Sequence, residues 1–310
     1  MRVLFWGTPR FALPSLRALL GEGHDVVGVV SQPDRPAGRG RSLRASPVKQ
    51  AALGEQIPVL TPERPRGEAF LDTLKTLDPE ISVVVAYGHI LPLEVLQLPS
   101  RNSVNLHASL LPALRGAAPV NWAIARGHER TGVTIMRMTA GMDEGPILLQ
   151  RDIPIASDDS ASGLTARLSE LGAEALVEAL ALLEMGAIEE VEQDEALASY
   201  APKVGREVAR VSWDRSATEV SNHIRGMDSV PGAWTEHEGD PLKLFTPEVL
   251  ESDADVPPGS VLAADPEAGL VVRTEGGAVA IGEVQPSGKR RMSGSAWLRG
   301  GGAAPGDRFR

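Results

Sequence analysis

Short, almost unbroken Val/Ile runs separated by helical text constrain this chain more than any other feature of its sequence. Arg2–Trp6 is the first run, and it stops at Gly7-Thr8-Pro9. Leu13, Leu16 and Leu20 then fall on one helical face, which Gly21 and Gly23 close. Val26, Val27, Val29 and Val30 predict a buried second strand. Ile81–Ala86, Ser103–His107 and Gly132–Met138 repeat the strand signal further on. Runs that lack polar alternation suit parallel strands covered on both faces. Alternating strand and helix signals predict an α/β fold with a Rossmann-like, open, parallel-rich sheet.

The second half reads differently. Residues 160–184 are rich in Leu, Ala and Glu at helical spacing, and Gly186 follows them. An acidic stretch of Glu189, Glu190, Glu192, Asp194 and Glu195 comes next, without a clear period. The last hundred residues predict one helix over Ala217–Met227. They also predict short strands at Lys243–Phe245, Leu270–Arg273 and Val279–Ile281, set apart by Gly, Pro and Asp turns. That pattern suggests a small β-barrel or sandwich. The expected domains are 1–189, a linker at 190–207, and 208–310. Gly300–Pro305 reads as a loose tail.

Composition excludes several chemistries. Cysteine is absent, so there is no disulfide framework, thiolate metal site or cysteine nucleophile. The six histidines are scattered without metal-ligand spacing, and no metal is expected. No segment reads as a signal peptide or a membrane span, which predicts a cytoplasmic protein. A net charge of −10 argues against indiscriminate nucleic-acid binding but leaves room for a local basic patch. No apolar interface pattern stands out, so a monomer is expected.

The segment from Asn105 to Val120 carries the richest chemistry. Asn105 and His107 are two residues apart at the end of a predicted strand, so both side chains share one face. Ligands of open α/β sheets bind beyond the carboxyl ends of the strands. An amide there can hydrogen-bond an oxygen that gains negative charge, and an imidazole can relay a proton near neutral pH. Gly141-Met-Asp-Glu-Gly145 then reads as a Gly-bounded loop presenting Asp143. A carboxylate facing His107 would orient it, stabilise its charged form or hold a relay water. Taken singly, each piece also fits an ordinary strand end or turn.

Together, Asn105…His107, Ser109-Leu110-Leu111-Pro112, Arg115-Gly116 and Asp143-Glu144-Gly145 resemble the signature of folate-dependent formyltransferases. The resemblance implies a catalytic set of Asn105, His107 and Asp143, with 10-formyltetrahydrofolate as formyl donor. It implies folate contacts at Ser109, Leu110, Leu111 and Pro112. It also puts the pterin near Tyr87, Gly88, His89, Ile90 and Leu91 and the Thr139–Asp143 loop. Glu144 departs from the pattern, because relatives commonly carry a small residue there.

Two features narrow the acceptor. Phe5–Ala12 and Ser31–Lys49 are similar to the corresponding stretches of family members that formylate methionyl initiator tRNA. The second stretch carries Arg35, Arg39, Arg41, Arg44 and Lys49 against Asp34, a local charge of +4. A Gly/Pro-rich basic loop on an acidic protein suits a phosphate backbone; the plainer reading is a solvated surface loop. The C-terminal part resembles the family's OB-like domain, which implies further tRNA support. Lys289, Arg290 and Arg291 form its best basic patch, with an ordinary solvated turn as the alternative. The resemblance leaves His107 as either a cationic stabiliser or a base. Competing readings are a formyltransferase for an amino-sugar nucleotide and a non-catalytic RNA-binding module. Gly7-Thr8-Pro9 lacks the dinucleotide fingerprint, which disfavours NAD.

Overall fold

The computed structural model describes residues 1–37 and 42–310. Arg39 and Arg41, both expected to meet tRNA, lie outside the described residues. Contacts divide the chain into two compact units. The first holds Met1–Gly116, Gly132–Ile153 and Thr165–Tyr200; the second holds Ala117–Thr131, Pro154–Leu164 and Ala201–Arg310.

In chain order the elements begin with β1 (Arg2–Gly7), α1 (Leu13–Gly21), β2 (Asp25–Val30), β3 (Arg35–Ala37), β4 (Ser42–Arg44) and α2 (Pro47–Gly54). They continue with β5 (Val59–Leu60), α3 (Glu68–Leu77), β6 (Ile81–Val85), α4 (Leu93–Leu96), β7 (Ser103–His107) and α5 (Pro119–Ala125). Then come β8 (Arg130–Arg137), β9 (Ile147–Pro154) and α6 (Ala161–Glu184).

The large sheet of the first unit has the order β5-β2-β1-β6-β7-β8-β9. β5, β2, β1, β6 and β7 run parallel. Val3, Leu4, Phe5 and Trp6 on β1 are fully buried because the strand is central and covered on both faces. Each such side chain removed from water is worth roughly 1.5–3 kcal/mol. Trp6 packs edge-on against Phe70 and Tyr87, and its Nε1–H donates to Ser82 Oγ at 3.1 Å. One expectation needs correction. The run at 132–138 reads as another parallel strand, yet β8 is antiparallel to β7. Burial on both faces produces the same apolar run whichever way the strand points, so direction is not written in it. The sheet is therefore mixed, with its parallel part on the N-terminal side.

The second unit contains α7 (Ala217–Met227), β10 (Trp234–His237), β11 (Asp240–Leu250), β12 (Val261–Asp265), β13 (Gly269–Thr274), β14 (Gly277–Pro286), β15 (Met292–Ser293) and α8 (Gly294–Arg299). Its strands form an antiparallel sheet, β10-β11-β14-β13-β12, with β15 beside β14. α7 starts in a capping box: Ser216 Oγ accepts from Glu219 N–H, and the Glu219 carboxylate accepts from Ser216 N–H. Its Val220, Ile224 and Met227 are buried with Leu244, Val272 and Val279 of the sheet. The tail is not loose. Gly300 and Gly301 N–H close a turn on Trp297 and Leu298, and Phe309 beyond it is buried, its N–H donating to the Gly259 carbonyl at 2.8 Å. An apolar residue far from the last strand pins the end of the chain.

Candidate active site

β7 lies between β6 and β8, so the side chains of Asn105 and His107 start from a fully paired strand. The two residues alternate across Leu106 and share a face, and both are buried. Just beyond, the chain turns through Leu114 and Gly116, whose φ angles are +61° and +115°. That turn serves the site twice. The Leu114 carbonyl accepts from His107 Nε2 at 3.0 Å. The Gly116 N–H donates to Asp143 Oδ2 at 2.8 Å. The same carboxylate oxygen lies 3.6 Å from His107 Nδ1.

This geometry fixes the tautomer. A carbonyl only accepts, so the proton of a neutral His107 sits on Nε2. Nδ1 then faces Asp143 as a bare acceptor in the neutral ring and as a donor in the imidazolium. The imidazolium is the form that Asp143 complements.

Asp143 has a left-handed backbone, with φ +55°. Asp tolerates this region better than most residues. Neither flanking glycine, Gly141 or Gly145, has a positive φ. Space is what they provide. A Cβ at Gly145 would run into the Arg137 carbonyl, and one at Gly141 would run into the Glu144 carboxylate. Glu144, the departure from the family pattern, thus folds back over Gly141, and Thr139 Oγ1 donates to it at 3.5 Å.

The Ser109–Pro112 segment is braced from the sheet. Thr134 Oγ1 donates to the Ser109 carbonyl at 2.7 Å and accepts from Leu111 N–H at 3.1 Å. Gln150 Nε2 donates to both the Leu111 carbonyl and Thr134 Oγ1 at 2.9 Å. The Ser109 hydroxyl closes the turn on the Ala113 carbonyl at 2.6 Å. In the Tyr87–Leu91 segment the Tyr87 ring is core, and its hydroxyl is buried without a partner among the described residues. Burial pushes that phenol up to about 12. Gly88, His89 and Ile90 are exposed, and His89 Nε2 lies 2.9 Å from Gln32 Oε1.

Several basic residues named from the sequence have partners. Lys49 pairs with Asp34 at 2.8 Å, and Arg35 donates to Gln32. Arg35 stands directly opposite Arg44 across the β3–β4 ribbon, and both are exposed. Arg291 is held by Glu283 and Asp228 and lies over the Phe245 ring at 3.9 Å. Lys289 and Arg290 are exposed.

Sequence reasoning missed the support behind Asp143. Gln193 Nε2 donates to the Asp143 carbonyl at 2.9 Å and to the Gly145 carbonyl at 2.8 Å. Its Oε1 accepts from Arg115 Nε and Nη2. Arg115, 2% exposed, also grips Glu195 through both terminal nitrogens. Those hydrogen bonds hold the Glu195 carboxyl below the usual carboxylate range. The acidic stretch around Glu195 concealed this role, because spacing within a charge run does not show which member meets a buried guanidinium.

Among the described residues no group of His, Cys, Asp and Glu has the arrangement to hold a metal ion. None of their helices is long and apolar enough to cross a membrane.

Known proteins share this sequence pattern and fold. Residues 1–180 match the family profile described as formyl transferase, and residues 203–302 match that of the formyl transferase C-terminal domain. A methionyl-tRNA formyltransferase of Caldanaerobacter subterraneus subsp. tengcongensis is 45% identical over 301 residues, covering 97% of each chain. Among solved structures, the sugar 3N-formyl transferase WlaRD has a TM-score of 0.68 at 16% identity, covering 94% of this chain and 99% of its own. HypX from Aquifex aeolicus in complex with tetrahydrofolic acid has a TM-score of 0.64 at 21% identity, covering 96% of this chain and 47% of its own. At those identities the two structures speak for the fold alone.

Proposed function

The chain belongs to the formyl transferase family, and from that premise we propose that it moves the formyl group of 10-formyltetrahydrofolate onto the α-amino group of methionyl initiator tRNA. The product is N-formylmethionyl-tRNA for translation initiation. The observation that carries the reading is the carboxylate–imidazole pair, Asp143 to His107 at 3.6 Å, beside Asn105 on the same strand face. Similarity to the methionyl-tRNA formyltransferase supports the acceptor. So does the β3–β4 ribbon, where Arg35 faces Arg44: like charges directly opposite repel, and a bound polyanion relieves that repulsion.

In this reading the uncharged amine attacks the formyl carbon on N10 of the folate. A carbon–nitrogen bond forms, and the carbonyl electron pair moves onto oxygen. Asn105 donates a hydrogen bond to that oxyanion. His107, with Nε2–H committed to the Leu114 carbonyl, assists as an imidazolium held by Asp143. The amine proton travels to N10 through water beside Asp143, and the carbon–N10 bond breaks. No covalent enzyme intermediate is required. We assign folate contacts to Ser109–Pro112 and Tyr87–Leu91, in the latter through the backbone and the exposed Gly88–Ile90 rather than the buried Tyr87 ring. We assign tRNA contacts to Arg35, Arg39, Arg41, Arg44, Lys289 and Arg290, with Lys49 and Arg291 held by acidic partners in the free protein. We retain 1–189, 190–207 and 208–310 as catalytic domain, linker and OB-like tRNA-contacting domain, in a cytoplasmic monomer.

The test supplies purified protein with 10-formyltetrahydrofolate and one of three acceptors: methionyl initiator tRNA, methionyl elongator tRNA or an amino-sugar nucleotide. Rapid formylation of the initiator alone is expected. Formylation of the sugar would overturn the acceptor, and folate binding without product on any acceptor would overturn the reaction.

A further inference from the structure

We propose that Gln193 is a positioning residue that holds Asp143 against His107. The inference rests on the catalytic reading of Asp143 given above.

Gln193 uses its whole hydrogen-bonding capacity in one place. Both amide hydrogens go to carbonyls of the catalytic loop, Asp143 at 2.9 Å and Gly145 at 2.8 Å. Its oxygen accepts twice from Arg115, at 3.1 and 2.8 Å. The amide cannot be turned over, since that would set its NH₂ against a guanidinium and its oxygen against two carbonyls. Arg115 is itself immobile: it is buried, its N–H donates to the Ser199 carbonyl, and Glu195 holds its guanidinium with bonds of 2.9 and 2.7 Å.

The result is a closed frame. The Arg115 side chain holds the loop backbone through Gln193, and the next residue, Gly116, holds the Asp143 carboxylate by its N–H at 2.8 Å. One dipeptide thus sets both the backbone and the side chain of Asp143. The loop has reason to need it. Asp143 keeps a left-handed φ of +55°, which Asp tolerates but which is less populated than the right-handed and extended regions, so the frame selects it. Loss of Gln193 frees the Asp143 and Gly145 carbonyls, and Asp143 drifts from the 3.6 Å approach to His107.

The test compares Gln193→Leu in the native background and in an Asp143→Asn background. The readouts are kcat and KM for tRNA and folate, with melting temperature as control. A positioning role predicts a fall in kcat of about 10- to 100-fold in the native background, with KM changed less than about threefold. In the Asp143→Asn background the same substitution is nearly silent, because the group it positions has already lost its function. Native kcat in Gln193→Leu overturns the inference. So does an equal loss in both backgrounds, which marks a general structural role. If Gln193→Leu does not fold, Gln193→Glu is read by the same comparison, since it keeps an acceptor for Arg115 and replaces the two donors with a charged oxygen that repels the Asp143 and Gly145 carbonyls. If Asp143→Asn alone retains full turnover, the catalytic reading of Asp143 itself fails, which distinguishes the two.

Discussion

Asp143 Oδ2 lies 3.6 Å from His107 Nδ1, while the opposite nitrogen of the same ring bonds the Leu114 carbonyl at 3.0 Å. One ring nitrogen is hydrogen-bonded and the other faces a carboxylate, so the orientation of the imidazole is set from both sides. The Leu114 contact spans only seven residues, while Asp143 reaches in from a separate loop and is also held by the Gly116 N–H.

Substitutions in this cluster separate chemistry from binding. Asn105→Ala and Asp143→Asn are each expected to lower kcat by about 10²–10³-fold, the range for losing an oxyanion donor or a proton-relay group. tRNA affinity is expected to stay within about twofold, since neither group is assigned to the acceptor stem. Steady-state formylation together with filter binding of tRNA checks this. Near-native turnover would remove that residue from the mechanism.

Gly145→Ala tests the loop without touching a functional group. The new Cβ meets the Arg137 carbonyl, a backbone atom that cannot swing aside. The loop must shift, and Asp143 with it. Turnover is expected to drop by about tenfold or more, because sub-ångström misplacement of a catalytic group is costly. A variant with unchanged kcat would mean that the loop position is not critical.

Tyr87 provides a stability test with a definite sign. Burial raises its phenol to about 12, and its hydroxyl has no partner among the described residues. An acid whose folded pKa lies above its unfolded value binds its proton longer in the folded state. Its contribution is fully present below pH ~10 and is lost as pH rises towards ~12. Tyr87→Phe is expected to flatten the fall in stability across that alkaline window. It is also expected to leave neutral-pH stability equal or higher by about 1 kcal/mol, the scale of a buried unpaired hydroxyl. Urea denaturation at pH 8 and pH 11 reads both effects. A steeper alkaline loss in Tyr87→Phe would refute the assignment.

Salt dependence distinguishes basic residues that meet phosphate from those that hold the fold. Arg39→Ala and Arg290→Ala are each expected to weaken tRNA binding and to reduce the slope of log K against log salt by about 0.7–0.9. Arg291→Ala is expected to act differently. Its guanidinium is tied to Glu283 and Asp228 and lies over Phe245, so its loss should lower the melting temperature and leave the salt slope nearly unchanged. Identical slopes in all three variants would dismiss the patch.

The elements that follow from period and composition were legible in the amino-acid order alone. Unbroken apolar runs at Arg2–Trp6 and Ile81–Ala86 become buried parallel strands, since a strand covered on both faces needs no polar alternation. The two-residue spacing puts Asn105 and His107 on one face of β7. The helix expected over Ala217–Met227 is observed with those bounds, and the structure adds the capping box of Ser216 and Glu219 at its start. How these parts meet follows only from the folded chain. The direction of β8 is invisible in its apolar run, because burial is the same either way. The approach of Asp143 to His107, and the frame of Glu195, Arg115 and Gln193 behind it, join residues far apart in the chain. Local pattern records which residues want burial or a given dihedral. It does not record which partner satisfies a hydrogen bond, because that partner exists only once the chain has closed on itself.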